Sequence, residues 1–159
     1  MKKWLIIIFV LVTVLLTGAG VYAYQTIREP LLHELEQAEH FVRGQVLQTV
    51  YDVSYYHGTE TYYVFFGLTE DEEDTIVWVS EDFSAYHTEK VSEGITKEEA
   101  IAIVKQQDRV KRIQSVKLGY ERNLPVYEVT YLNEDNRKGY YYLTFEDGTF
   151  MKRYVLRTE

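Results

Sequence analysis

Four histidines, a run of five acids and fifteen tyrosines are the groups of this chain best equipped for chemistry. His33 and His40 stand seven apart, so on one helix they share a face. A helical zinc site needs a pair four apart and a third ligand. Gln37 stands where that second histidine belongs. With His57 and His87 far away in sequence, all four read as solvated side chains. Glu70-Asp71-Glu72-Glu73-Asp74 attracts cations but lacks the alternating ligands and central glycine of a calcium loop. It reads as a solvated hairpin loop. Glu81-Asp82 and Glu146-Asp147 supply paired carboxylates, which need a cleft between them to hydrolyse glycosides. They read as turns. There is no Gly-x-Ser-x-Gly elbow and no Ser-x-x-Lys pair. The absence of cysteine excludes disulfides and thiolate metal sites. The expectation is a non-enzymatic chain with no catalytic residue, no cofactor, no metal and no small-molecule substrate.

The tyrosines call for a different chemistry. Tyr55-Tyr56, Tyr62-Tyr63 and Tyr140-Tyr141-Tyr142 sit in strand-like stretches, where neighbours point to opposite faces. Each run therefore turns at least one ring outward, and core packing with hydroxyls at the rim accounts for most of the tyrosines. Outward tyrosines concentrate energy in protein interfaces or stack on sugars. Tyr56, Tyr63, Tyr140 and Tyr142, with Glu72 and Glu73, are the candidate partner contacts.

These residues must be positioned by a pattern that returns after 65 residues. Tyr51, Val53 and Tyr55 fall on Val116, Leu118 and Tyr120. Tyr62, Val64 and Phe66 fall on Tyr127, Val129 and Tyr131, and Ile76 and Trp78 on Tyr141 and Leu143. His57-Gly58 falls on Arg122-Asn123, and Asp147-Gly148 is a hairpin signal. Each repeat opens with a helix. Thr96 with Glu99 makes a capping box before Ala100, Ile103 and Val104. Leu35, Ala38, Phe41 and Val42 form the earlier stripe, with Pro30 suited to a first turn. The spacing predicts a helix over 31–48 and strands over 49–57, 60–69, 74–80 and 84–91. It then predicts a helix over 96–109 and strands over 112–122, 125–133, 138–145 and 149–157. The fold class is α+β, each unit one helix laid on one apolar face of an antiparallel sheet of about four strands. The domains are residues 1–24, 25–94 and 95–159.

Trp4 to Tyr24 is an uncharged, mostly apolar run of 21 residues behind Lys2-Lys3. As a helix it spans roughly 31 Å, the thickness of a bilayer core. It reads as a single membrane anchor with a cytoplasmic N-terminus and everything after Gln25 extracytoplasmic. A cleaved signal peptide is the rival reading, with Val21-Tyr22-Ala23 before the cut. Either way the domain lies on the same side. Residues 25–94 carry 15 acids and three bases, residues 95–159 ten acids and 12 bases. That acidic first half repels nucleic acid and anionic lipid headgroups, and reads first as a solvated surface and second as a docking face for a basic partner.

A short anchor, tandem helix-and-sheet units, and the opening Ile95-Thr96-Lys97-Glu98-Glu99-Ala100-Ile101 resemble the TseB-like cell-wall elongation regulators of Gram-positive bacilli. Their exported part is similar to two PepSY-like domains, which share a cystatin-like plan. The resemblance covers essentially the whole chain. It implies a membrane-tethered, non-enzymatic protein whose partner is a penicillin-binding transpeptidase of the lateral wall. Other PepSY-like domains suggest an inhibitor or chaperone of an exported peptidase, and the outward aromatics a glycan-binding module. No catalytic or contact residue is carried over.

Overall fold

The structure, a computed structural model, describes the backbone of residues 2–157 and the side chains of 4, 12–20, 22, 24 and 35–157. It divides into Met1–Gln37 and Ala38–Glu159. The first unit is the larger part of one helix, α1, Lys2–Gln45. The side chains of residues 5–11, 21 and 23 of the apolar run, with those of Pro30 and His33, lie outside the described residues. Among the described residues, no helix is long and apolar enough to cross a membrane. An anchor and a separate helix over 31–48 were the expectation, yet α1 is a single element. No glycine or asparagine follows Tyr24 to cap a helix there.

The second unit holds two four-stranded antiparallel sheets. The first is β1 Thr49–His57, β2 Thr61–Leu68, β3 Asp74–Ser80 and β4 Tyr86–Lys90, paired in chain order. A single 3-10 turn leads to α2, Lys97–Gln107. The second sheet is β5 Val110–Glu121, β6 Leu124–Asn133, β7 Lys138–Thr144 and β8 Phe150–Val155, again in chain order.

The capping box forms as its residues require. The Glu99 amide donates to the Thr96 hydroxyl at 3.2 Å, and the Thr96 amide donates to the Glu99 carboxylate at 2.7 Å. That contact pulls the Glu99 carboxyl below its ordinary range. Thr96→Ala is expected to cost about 1 kcal/mol, read as a lower urea midpoint with an unchanged slope.

One buried cluster draws on both sheets. Tyr56, Tyr62, Val64, Ile76 and Trp78 come from the first. Leu118, Tyr127, Val129, Tyr131, Tyr141 and Leu143 come from the second, with Ala100 and Val104 from α2. Tyr62 lies 5.1 Å from Tyr120, and Trp78 5.9 Å from Phe145, ring centre to ring centre.

The first sheet departs from the expected single apolar face, because its other side is buried too. Tyr63, Phe65, Val77 and Val79 are fully buried, as are Ala38, Val42 and Leu47 at the end of α1 and just beyond. A sheet covered on both faces explains the unbroken apolar run from Tyr62 to Phe66.

Strand β1 also departs from the 65-residue offset. Tyr51 and Val53 are exposed, and Tyr56 is the strand's buried aromatic. Ser54 pairs with Val64, whereas Val116 pairs with Val129, so β1 matches β5 at an offset of 62. The second hairpin runs two residue pairs further and its loop is one residue shorter, which together make the difference of three. Residues 58–60 separate β1 from β2, but only Arg122 and Asn123 separate β5 from β6. Arg122 and Asn123 have φ of 53° and 62°, the two left-handed residues of a type I′ turn. The shift also carries the irregularity of β1 between Val50 and Asp52.

Candidate functional site

Three of the expected contact tyrosines are not on the surface. Tyr63 is fully buried and lies 6.1 Å from the stacked ring of Phe83. Tyr56 is 1% exposed, its ring against Gly119. Tyr142 is 3% exposed, although it lies on the open side of the second sheet. Its hydroxyl donates to Glu128 at 2.6 Å and meets the Tyr154 hydroxyl at 3.0 Å. Burial and these partners push the Tyr142 hydroxyl far above its ordinary range. The surface roles assigned to Tyr56, Tyr63 and Tyr142 are therefore corrected. Burying both faces of the first sheet left no outward ring at Tyr63, and neighbouring side chains roof Tyr142.

Tyr140 is half-buried on the open face, and Glu72 and Glu73 are exposed in the loop between β2 and β3. Glu73 pairs with Lys90 at 2.6 Å, and Glu72 holds a φ of 60°. Glu81-Asp82 and Glu146-Asp147 close turns. Asp82 accepts from the Ser80 and Ser84 hydroxyls at 2.7 Å each, which holds it near 2. Asp147 does the same for Thr144 and Thr149. Among the described residues no three His, Asp or Glu side chains converge on a point that could hold a metal ion. His40 is exposed. His87 differs from the solvated reading. It is half-buried, 5.2 Å from the Tyr120 ring and 5.9 Å from Trp78, with Glu89 at 2.8 Å.

Sequence reasoning missed Glu121. It is 3% exposed, at the end of β5. Its carboxylate accepts from the Tyr56 hydroxyl, the Thr59 amide, the Thr59 hydroxyl and the Lys152 ammonium, each at 2.9 Å. Burial works to raise its pKa. The donors, Lys152 first, overcome that and hold it near 2. One carboxylate thereby ties the first hairpin of one sheet to the last strand of the other. The only signal was an acid at the edge of an apolar alternation.

Two concave surfaces flank the buried cluster. A cleft of about 450 Å³ is lined by His87, Glu89, Glu93, Leu124, Phe145 and Glu146. Across the second sheet runs a shallow groove of about 510 Å³, whose walls include His57, Lys117, Lys138, Tyr140 and Tyr154. The first is acidic and apolar, the second cationic and rich in hydroxyls. Both suit recognition of a charged partner.

A module of two antiparallel sheets around one buried cluster, with concave surfaces at its rim, is the class this geometry defines. Residues 37–80 match the family model "Cell wall elongation regulator TseB-like domain", and residues 94–154 match "Peptidase propeptide and YPEB domain". The chain is 32% identical over 144 residues to the probable cell wall elongation regulator TseB of Bacillus subtilis strain 168. That alignment covers 90% of this chain and 89% of the relative. The solved YpmB protein of Bacillus subtilis superposes with a TM-score of 0.72 at 29% identity, covering 76% of this chain and 96% of that one. The chain belongs to the TseB-like family.

Proposed function

We propose that this protein is a membrane-anchored, extracytoplasmic, non-enzymatic regulator that supports lateral cell-wall elongation by binding a penicillin-binding transpeptidase. The full-length likeness to a probable cell wall elongation regulator carries this reading. The apolar run behind Lys2-Lys3 supplies the anchor. The two sheets, alike in strand order, support an origin by duplication into units 25–94 and 95–159. Confinement to the membrane plane raises the local concentration of other anchored proteins, so a weak contact suffices. The exposed acids Glu72 and Glu73, with Tyr140, are the proposed contacts.

The test is crosslinking in intact cells, then detergent purification of the full chain. Recovery of an anchored transpeptidase is expected, and Glu72→Gln/Glu73→Gln should reduce it at least fivefold. Recovery of an exported peptidase in its place would favour the inhibitor or chaperone reading. Recovery of neither would overturn the proposal.

A further inference from the structure

The open face of the second sheet holds cations that the fold leaves unused. Strand pairing sets its side chains in three rows. Arg112, Leu132 and Lys138 form the first row, with Leu156 beside Lys138. Ser115, Thr130, Tyr140 and Tyr154 form the second. Lys117, Glu128, Tyr142 and Lys152 form the third. The middle row is therefore made of hydroxyls, running across four strands, ~14 Å at the usual spacing. Cations stand on both sides of it.

Two of the four are already placed: Lys152 holds Glu121, and Lys138 lies 4.9 Å over the Tyr140 ring with its charge exposed. Arg112 and Lys117 are exposed and make no hydrogen bond or ion pair among the described residues. Glu128, the one acid in these rows, accepts from Tyr142. In a chain of net charge −8 this is a local patch of positive charge. Screening over about 8 Å keeps it separate from the acidic first half.

The rings exclude one class of ligand. Tyr140 stacks on Tyr154 with centres 4.9 Å apart, and Tyr142 on Tyr154 at 5.9 Å. Lys152 covers the Tyr142 ring at 4.3 Å. These ring faces are turned onto each other and onto lysines, so sugars have little flat surface to stack on. The same stacking takes up the tyrosine faces that would otherwise anchor a protein partner. What the face offers is a line of hydroxyls between spaced cations. That matches a ligand whose charge repeats along its length, with N–H and O–H donors meeting anionic oxygens.

We propose that this face binds a linear phosphodiester polymer of hydroxyl-bearing units, lying along the hydroxyl row. Arg112, Lys117 and Lys138 take the phosphate oxygens. The hydroxyls of Ser115, Tyr140 and Tyr154 meet the linking and free oxygens, while Thr130, buried in the same row, does not reach the ligand. The proposed transpeptidase contact shares Tyr140 with this face, while its acids Glu72 and Glu73 lie in the β2–β3 loop of the other sheet, so the lysine variants below leave them unchanged.

The test is calorimetric titration of the full chain in neutral detergent with deacylated poly(glycerol phosphate). Saturable binding that weakens as salt rises is expected. Lys117→Glu/Lys138→Glu should lower affinity at least tenfold, and the milder Lys117→Gln/Lys138→Gln at least threefold. Lys97→Glu/Lys105→Glu makes the same charge change on α2 and should alter affinity less than twofold. Thermal melts of each variant show whether it folds. If the reversal variant does not fold, the glutamine pair decides. Absence of saturable binding would overturn the proposal, as would an equal loss in the α2 variant. Equal affinity for poly-L-glutamate would reduce the face to bare charge and overturn the assigned ligand. So would binding only to anionic lipid vesicles.

Discussion

Glu121→Ala is expected to lower stability by about 3–5 kcal/mol, the cost of breaking a buried charged network by removing one partner. The carboxylate is 3% exposed and takes four donors. Its loss leaves the Tyr56 hydroxyl and the Thr59 amide without their acceptor. Lys152 is 31% exposed and regains some water, so the penalty falls mainly on the buried neutral donors. A fall in Tm of about 10–20 °C follows for a unit of this size. Lys152→Met in the same background should recover only part of it, because Tyr56 and Thr59 stay unpaired.

The same carboxylate sets a pH signature. Its folded pKa is about 2, below the ordinary unfolded value of about 4.3. A depressed carboxyl stabilises fully above its unfolded pKa, and that stability is lost as pH falls through the folded one. The native chain should therefore lose this contribution between about pH 4.5 and pH 2. Other carboxylates, such as Asp82, titrate low as well. The readout is thus the difference in urea midpoint between the native chain and Glu121→Gln. That gap should be wide at pH 7 and narrow at pH 2.5. A gap unchanged with pH would contradict the assignment of the charge to Glu121.

Trp78→Ala is the second large effect, about 3–5 kcal/mol. Trp78 is fully buried between the sheets, against His87 and Phe145. Removing the indole opens a cavity that neither sheet can close without moving the other. Trp78→Phe should be far milder, about 1–2 kcal/mol. Among the described residues the buried Trp78 Nε1–H has no hydrogen-bond partner, so its removal relieves a desolvation cost that offsets part of the lost volume. Urea midpoints of both variants give the check. A phenylalanine variant as unstable as the alanine one would show that the N–H contributes.

Most of the strand plan was legible, since period-two alternation and turn residues are local signals. The ladder from Tyr62 to Leu68 and the Thr96–Glu99 box need no knowledge of distant chain. Faces were harder to read. Tyr55 and Tyr56 are equally aromatic, and only the register of the first hairpin decides which one turns inward. Tyr63 reads as an outward ring until the end of α1 covers its side of the sheet. Glu121 and Lys152 are 31 residues apart, and nothing local shows that they meet. The open face was equally hidden, because its rows cross strands and appear in no linear motif.

The shared interior has a consequence for how such a chain can evolve. The two sheets share a common lining, with Trp78 donated from the first half of the chain and Phe145 from the second. Neither sheet can be traded, shuffled or deleted by itself. Change in this lineage is channelled to the rims and the outer rows, where side chains answer to what they touch outside the molecule.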